Sequence, residues 1–238
     1  MSFISAEFFI IVFATVLLYF IFPKKHRWYI LFVSSCLFYY VSAGARALVI
    51  AIATVVVAYF AAIWISKTNG EKKKKSKLFL AVAIVILLGI LILAKIKRYF
   101  MWDTIWIIVP LGISYYTFSI IGYLVDVYSK KQEPEKNILK LILYSLYFPK
   151  IIQGPISKFR ELGPQLIEGH SFNYQSFCFG LQRILWGYFK KLVIVERTSA
   201  LIVNVFDGNI ADYTSGGAVL ILTTLIAVIR AYCDFSTQ

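Results

Sequence analysis

The chain has 238 residues, 60% of them hydrophobic and 17% aromatic, with a mean hydropathy of +0.75. Soluble domains run at about 45–50% apolar, so this composition excludes an ordinary soluble domain and points to an all-α polytopic membrane protein. The formal charge is +13, but the basic residues sit in short loops between apolar runs, the pattern of cytoplasmic loops and not of a nucleic-acid surface.

The first apolar run covers residues 6–22. Its positive charges (Lys24, Lys25, Arg27) follow it, and no small-residue cleavage site comes after. It is therefore expected to stay as a membrane helix and not to be removed as a signal peptide. The second span, 28–41, is rich in Phe and Tyr. Ser34, Ser35 and Ser42 lie in or beside it, and small hydroxyl residues let helices approach closely in lipid. The third, 47–65, is strongly β-branched. Residues 67–77 carry Glu71 and then four consecutive lysines, Lys72 to Lys75. They read as a solvated cytoplasmic loop, with an acidic-lipid site as the sharper alternative. The fourth span is 78–94. Counting charge places the loops 23–27, 67–77 and 130–140 inside and the N-terminus outside, against the vote of Lys95, Lys97 and Arg98 in the loop 95–103.

The fifth span, 105–128, is unusually polar. Pro110 predicts a kink, and the hydroxyls of Tyr115 and Tyr116 need partners if buried. Asp126 is either an intramembrane functional acid or a wetted helix end. A helix from 137 to 148 then runs into the stretch 144–166, YSLYFPKIIQGPISKFRELGPQL. Pro149 and Lys150 interrupt it, Gln153, Gly154 and Pro155 follow, and Gly163-Pro164 comes soon after. Backbone at membrane depth must find internal hydrogen-bond partners, so this stretch predicts a broken or re-entrant element beside a polar cavity. In residues 171–207, Arg183, Lys190 and Arg197 are seven apart. That spacing predicts one helix face and a basic amphipathic helix at the interface. Snorkelling to headgroups is the plain role of these cations; an acidic ligand at Lys190 and Lys191 is the sharper one. A last span, 218–232, leads to Asp234 and Ser236. The total is about six spans in one membrane domain, 1–238. The three cysteines and two histidines are scattered and show no metal-ligand spacing. No P-loop, GxSxG or HExxH is present, so the residues alone name no catalytic base or nucleophile.

Three blocks, PLGISYYTFSIIGYLVDVY, YFPKIIQGPISKFRELGPQL and FGLQRILWGYFKKLVIVERTSALIVNVFD, resemble the membrane-bound O-acyltransferase family in its alginate O-acetyltransferase-like branch. The likeness runs over roughly residues 105–234; residues 1–104 fit only generically. It implies a ring of helices around a tunnel, an acyl donor on the cytoplasmic side (acetyl-coenzyme A or an acyl carrier) used as substrate with no bound cofactor, and an exported polysaccharide as acceptor, reached through extracytoplasmic partner proteins. A related branch moves D-alanine toward teichoic acids. Under this resemblance Tyr115, Tyr116, Asp126, Gln153, Gly154, Pro155, Asp234 and Ser236 are tunnel-lining candidates. Lys158, Arg160, Arg183, Lys190 and Lys191 are donor-side basic candidates. The family histidine, a general base suited by its pKa, follows a D-F-S-G-Y-S-D block. Here Asp234-Phe235-Ser236 is followed by Thr237 and Gln238. The resemblance therefore implies an amino-terminal portion without that histidine, inactive alone, in the plasma membrane. A transporter or non-enzymatic export scaffold is the competing class, since broken helices and intramembrane polar groups occur there too.

Overall fold

The computed structural model describes residues 6–69, 73–100, 110–151, 154, 156–206 and 217–236. These residues form helices and their connections, with no strand among them. They fall into two compact units, Met1–Ser171 and Phe172–Gln238. The first holds α1 (Ala6–Ile21), a 3-10 turn (Lys24–His26), α2 (Arg27–Thr68), α3 (Lys73–Phe100), α4 (Ile113–Tyr128), α5 (Ile138–Leu146), α6 (Phe148–Ile151) and α7 (Phe159–Ile167). The second holds α8 (Tyr174–Phe189), a π-helical turn (Lys190–Val195), α9 (Glu196–Phe206) and α10 (Gly217–Ser236). Among the described residues, Lys24–Thr68, Lys73–Ile96 and Gly217–Asp234 are long and apolar enough to cross a membrane. Ile10, Phe13, Val85 and Ile221 expose large apolar side chains, a surface suited to lipid. This is an all-α membrane protein.

The 42 residues of α2 are about twice the length one span needs. The helix is broken at Gly44, which has φ 82° and ψ 165°, a conformation that favours glycine. Two arms result, matching the expected second and third spans. The second arm buries Ala47, Ala51, Val55, Ala58, Ala62 and Ile65, all at 0% exposure. Their three- and four-residue spacing keeps them on one face, and the alanines let neighbouring backbones come close. α2 packs against α1, α3, α4 and α5, so it is the hub of the first unit.

Several boundaries differ from expectation. α3 takes in residues 73–77 and 95–100, which were expected in loops. The helix of the fifth span starts at Ile113, after Gly112 in the left-handed region (φ 64°). Pro110 therefore precedes the helix and does not kink it, while residues 101–109 lie outside the described residues. The helix expected to reach Phe148 stops at Leu146, and Tyr147 is extended at ψ 116°. Pro149 has no N–H to give the Ser145 carbonyl, which ends the ladder. It is tolerated in the first turn of α6, where that donor is not needed.

One end of the first unit gathers its turns. Asn69 Nδ2 donates to the Tyr128 carbonyl at 2.6 Å, and the Tyr59 hydroxyl donates to the Lys136 carbonyl at 2.8 Å. The Tyr123 hydroxyl accepts from the Glu135 N–H at 2.9 Å. Asn137 Oδ1 caps α5 by accepting from the Leu139 N–H at 3.0 Å. Lys24, Lys25 and His26 share a groove with Asn137 and Lys140. Segments from all three loops that charge counting assigned to one side thus meet at one end.

In the second unit, the expected single basic stripe does not form. The π-helical turn, with its wider i→i+5 bonding, begins at Lys190 and shifts the register between Arg183 and Arg197. Arg183 and Arg197 are exposed, whereas Lys190 is half-buried.

Candidate functional site: a hairpin around a buried lysine

Helices α5, α6 and α7 form a hairpin that leaves and returns to the same end of the first unit. Asn137 and Lys140 at its entry line one groove with Ile167 and Gly169 at its exit. The broken stretch thus takes a re-entrant shape. Its limbs are joined by the Tyr144 hydroxyl, which donates to the Ser157 carbonyl. The Phe159 ring lies 5.0 Å from that of Tyr144 and 5.1 Å from that of Tyr123. A Cβ on Gly163 would stand 3.1 Å from the Phe159 ring, so a small residue belongs there.

The tip of the hairpin is seated on earlier helices. The Phe148 N–H donates to Ser35 Oγ at 3.3 Å, and Ser35 Oγ donates to the Leu31 carbonyl at 2.7 Å. This answers the backbone donor freed by the break at Tyr147, as an apolar setting requires. The Phe148 ring packs against Phe8 and Phe38 at 6.3 and 5.8 Å. A Cβ on Gly112 would fall 2.0 Å from the Ile151 carbonyl oxygen. The backbones of α6 and Gly112 are therefore in direct contact, and only glycine fits.

Lys150 sits at this tip, 8% exposed. Its ammonium lies 3.7 Å from the centre of the Tyr144 ring and 3.4 Å from Ser157 Oγ. Among the described residues it has no carboxylate partner. Desolvation lowers its pKa from 10.5 to about 7, because burial disfavours the charged form; the residue is outside the three long apolar helices. With Tyr115, Tyr116, Ser119, Ser145 and Ile151 it lines a narrow crevice with no room for a water molecule. After Lys150 the chain turns sharply back. The Gly154 N–H donates to the Lys150 carbonyl at 2.8 Å, and a Cβ on Gly154 would stand 2.4 Å from Lys150 Cα. Here the lysine is held against one ring face and one hydroxyl, with no space beside it for a ligand.

Of the tunnel-lining candidates, Tyr115 and Tyr116 are at this crevice and Gly154 packs on Lys150. Gln153 and Pro155 lie outside the described residues. Asp126 is half-buried in the last turn of α4, where its carbonyl accepts from the Lys131 N–H at 3.0 Å. Lys158 and Arg160 are exposed at the start of α7, and Arg160 faces Glu161 at 3.7 Å. In the second unit, Lys190 donates to the carbonyl and hydroxyl of Ser236 at 2.9 and 3.0 Å. Lys191 pairs with Asp234 at 3.4 Å. Two candidates of the basic set thus hold two of the tunnel set. Among the described residues no cluster of three His, Cys, Asp or Glu side chains could hold a metal. Sequence reasoning passed over Lys150 as a mere interruption. The available signal was a lone cation within the otherwise apolar run LYSLYFPKII.

No family model matches the chain. It is 31% identical over 130 residues to the probable alginate O-acetylase AlgI of Azotobacter vinelandii, covering 55% of this chain and 25% of that protein. The protein of the same name from Pseudomonas aeruginosa is 32% identical over 130 residues, covering 55% and 24%. The peptidoglycan O-acetyltransferase of Helicobacter pylori is 27% identical over 259 residues, covering 91% of this chain and 46% of its own length. The chain thus spans about a quarter to a half of the curated relatives it matches. An all-helical membrane protein with a broken hairpin is, in sequence, a relative of O-acetyltransferases. The chain is thus similar in sequence to proteins named as O-acetyltransferases, in line with the resemblance carried by its three sequence blocks.

Proposed function

We propose that the chain forms part of a membrane O-acyltransferase that moves an acetyl group through the plasma membrane toward an exported polysaccharide. One observation carries this reading: the likeness to proteins named for O-acetyl transfer to alginate and to peptidoglycan. The donor is a cytoplasmic acetyl thioester, on coenzyme A or a carrier, and partner proteins complete delivery outside. In the transfer step, an oxygen nucleophile bonds to the acetyl carbon and the carbon–sulfur bond breaks. A general base takes the hydroxyl proton and returns it to the leaving thiolate. By the family resemblance that base is a histidine. In this reading Lys150 lies beside the passage, and the crevice closed over it opens before its ammonium meets the acetyl carbonyl oxygen. A preplaced cation in a water-excluded site stabilises the charge that develops there.

The test uses a strain lacking the gene, complemented with the full-length gene product. Alkali-labile acetate on the exported polymer should vanish on deletion and return with the natural protein. Lys150→Met should return less than about a tenth of it, in line with the loss of one oxyanion donor. Release of D-alanine in place of acetate would overturn the acetyl assignment. Substrate flux with no ester formed would overturn the transferase reading in favour of a transporter.

A further inference from the structure

The groove at the turn end of the first unit is separate from the Lys150 crevice and plays no part in the proposed transfer. It is lined by Lys24, Lys25, His26, Trp28, Tyr29, Asn137, Lys140, Ile167 and Gly169, with a volume of about 530 Å³ open to solvent. Its charged groups come from two segments more than a hundred residues apart, and no carboxylate lines it. None of the three lysines has an ion-pair partner among the described residues.

The geometry is held firmly. A Cβ on Gly169 would lie 2.4 Å from the Lys24 carbonyl oxygen, so the exit of the hairpin rests on the basic turn. Arg27 fastens the rim by donating to the carbonyls of His170 at 2.5 Å and Phe22 at 2.9 Å. The Tyr19 hydroxyl accepts from the His170 N–H at 3.2 Å. Arg27 is thus engaged by the fold, whereas Lys24, Lys25 and Lys140 have no carboxylate partner among the described residues. Lys140 lies 5.9 Å from the Trp28 ring, and Trp28 stacks on Tyr29 at 3.6 Å. Aromatic rings beside lysines mark the depth of lipid headgroups. Directly before the lysines, Ile21 and Phe22 are 74% and 45% exposed, an apolar surface that runs up to the groove.

We propose that this groove binds a phosphate group, supplied by the headgroup of an anionic phospholipid whose acyl chains lie along Ile21 and Phe22. Three unpaired ammoniums match the charge of a phosphodiester, and the Asn137 amide lies within the same groove. Lys73, Lys74 and Lys75, exposed at the start of α3 and outside this groove, serve as the control.

The experiment places the full-length gene product in nanodiscs of phosphatidylcholine with or without phosphatidylglycerol, and counts retained lipids by native mass spectrometry. Phosphatidylglycerol should be retained by the natural protein and reduced at least tenfold by Lys24→Gln/Lys25→Gln/Lys140→Gln. It should persist in Lys73→Gln/Lys74→Gln/Lys75→Gln and return when the three groove lysines are arginines. Inorganic pyrophosphate is the soluble arm. If it raises the melting temperature of the natural protein but not of the groove variant, while phosphatidylglycerol is not retained, the phosphate chemistry stands and the lipid source is overturned. Equal loss of lipid in both triple variants, or no response to either ligand, overturns the site.

Discussion

At the scale of single residues, Lys150 is the most costly side chain described in the first unit. Its folded pKa of about 7 lies below its ordinary 10.5. Between those values the unfolded chain holds a proton that the folded chain does not. Stability therefore rises with pH across that window, and the penalty is complete below pH 7. Lys150→Met should melt at a higher temperature than the natural protein at pH 7 in detergent, with the gap closing toward pH 10. A gap that does not change with pH would mean that Lys150 is not held in a desolvating site. The charge is tolerated because Tyr144 offers its ring face and Ser157 its hydroxyl. Retaining so unfavourable a group is what a functional site does. The contrast with Asp126 is instructive. Both residues interrupt apolar runs, but one lies in the closed tip of a hairpin and the other in the last turn of a helix. Spacing along the chain does not separate these cases, because depth depends on how the broken segments fold back.

At the scale of elements, the hairpin is defined by its breaks. The sequence showed that a break exists, through Pro149, Gly154 and Gly163-Pro164. It did not show that both limbs return to one end, since that depends on contacts from Tyr123, Ser35 and Gly112 in distant helices. The same limit explains the basic stripe. A seven-residue repeat presumes α-helical bonding, and the π-helical turn at Lys190 breaks that presumption with no proline or glycine within it to announce it. The contact between Gly112 and Ile151 gives the sharpest test at this scale. Gly112→Ala adds a carbon in a left-handed position, 2.0 Å from a backbone oxygen. It should destabilise by at least about 1–3 kcal/mol, read as a lower melting temperature. Gly89→Ala, where a Cβ would meet nothing within 4 Å, should not. Equal effects at both positions would show that the tip does not press on Gly112.

At the scale of the whole molecule, apolar run length revealed the membrane class, and segments of three basic loops meet at one end of the first unit. Residues 137 and 169 were not expected to be neighbours, because a count of spans treats each apolar segment as a crossing. A labelling experiment decides between crossing and return. Cysteines at the exposed positions Lys136 and Glu168, in a background with Cys36, Cys178 and Cys233 replaced, should react with an impermeant maleimide from the same face of sealed vesicles. Labelling from opposite faces would mean that the segment crosses. The sequence blocks that resemble O-acyltransferases were legible without structure. The arrangement of the first two around Lys150 was not, because Tyr115, Tyr116 and Ser145 reach the crevice only once α4 and α5 pack side by side.

The seat of the hairpin also sets an order of assembly. Phe8, Ser35, Phe38 and Gly112, on which α6 rests, all precede Phe148 in the chain. Chains emerge from the ribosome amino-terminus first. When Phe148 appears, the hydroxyl that accepts its N–H and the surface that receives its ring have already been made. The tip of the hairpin thus arrives after its berth has been prepared, and never has to wait in the bilayer for a seat not yet synthesised.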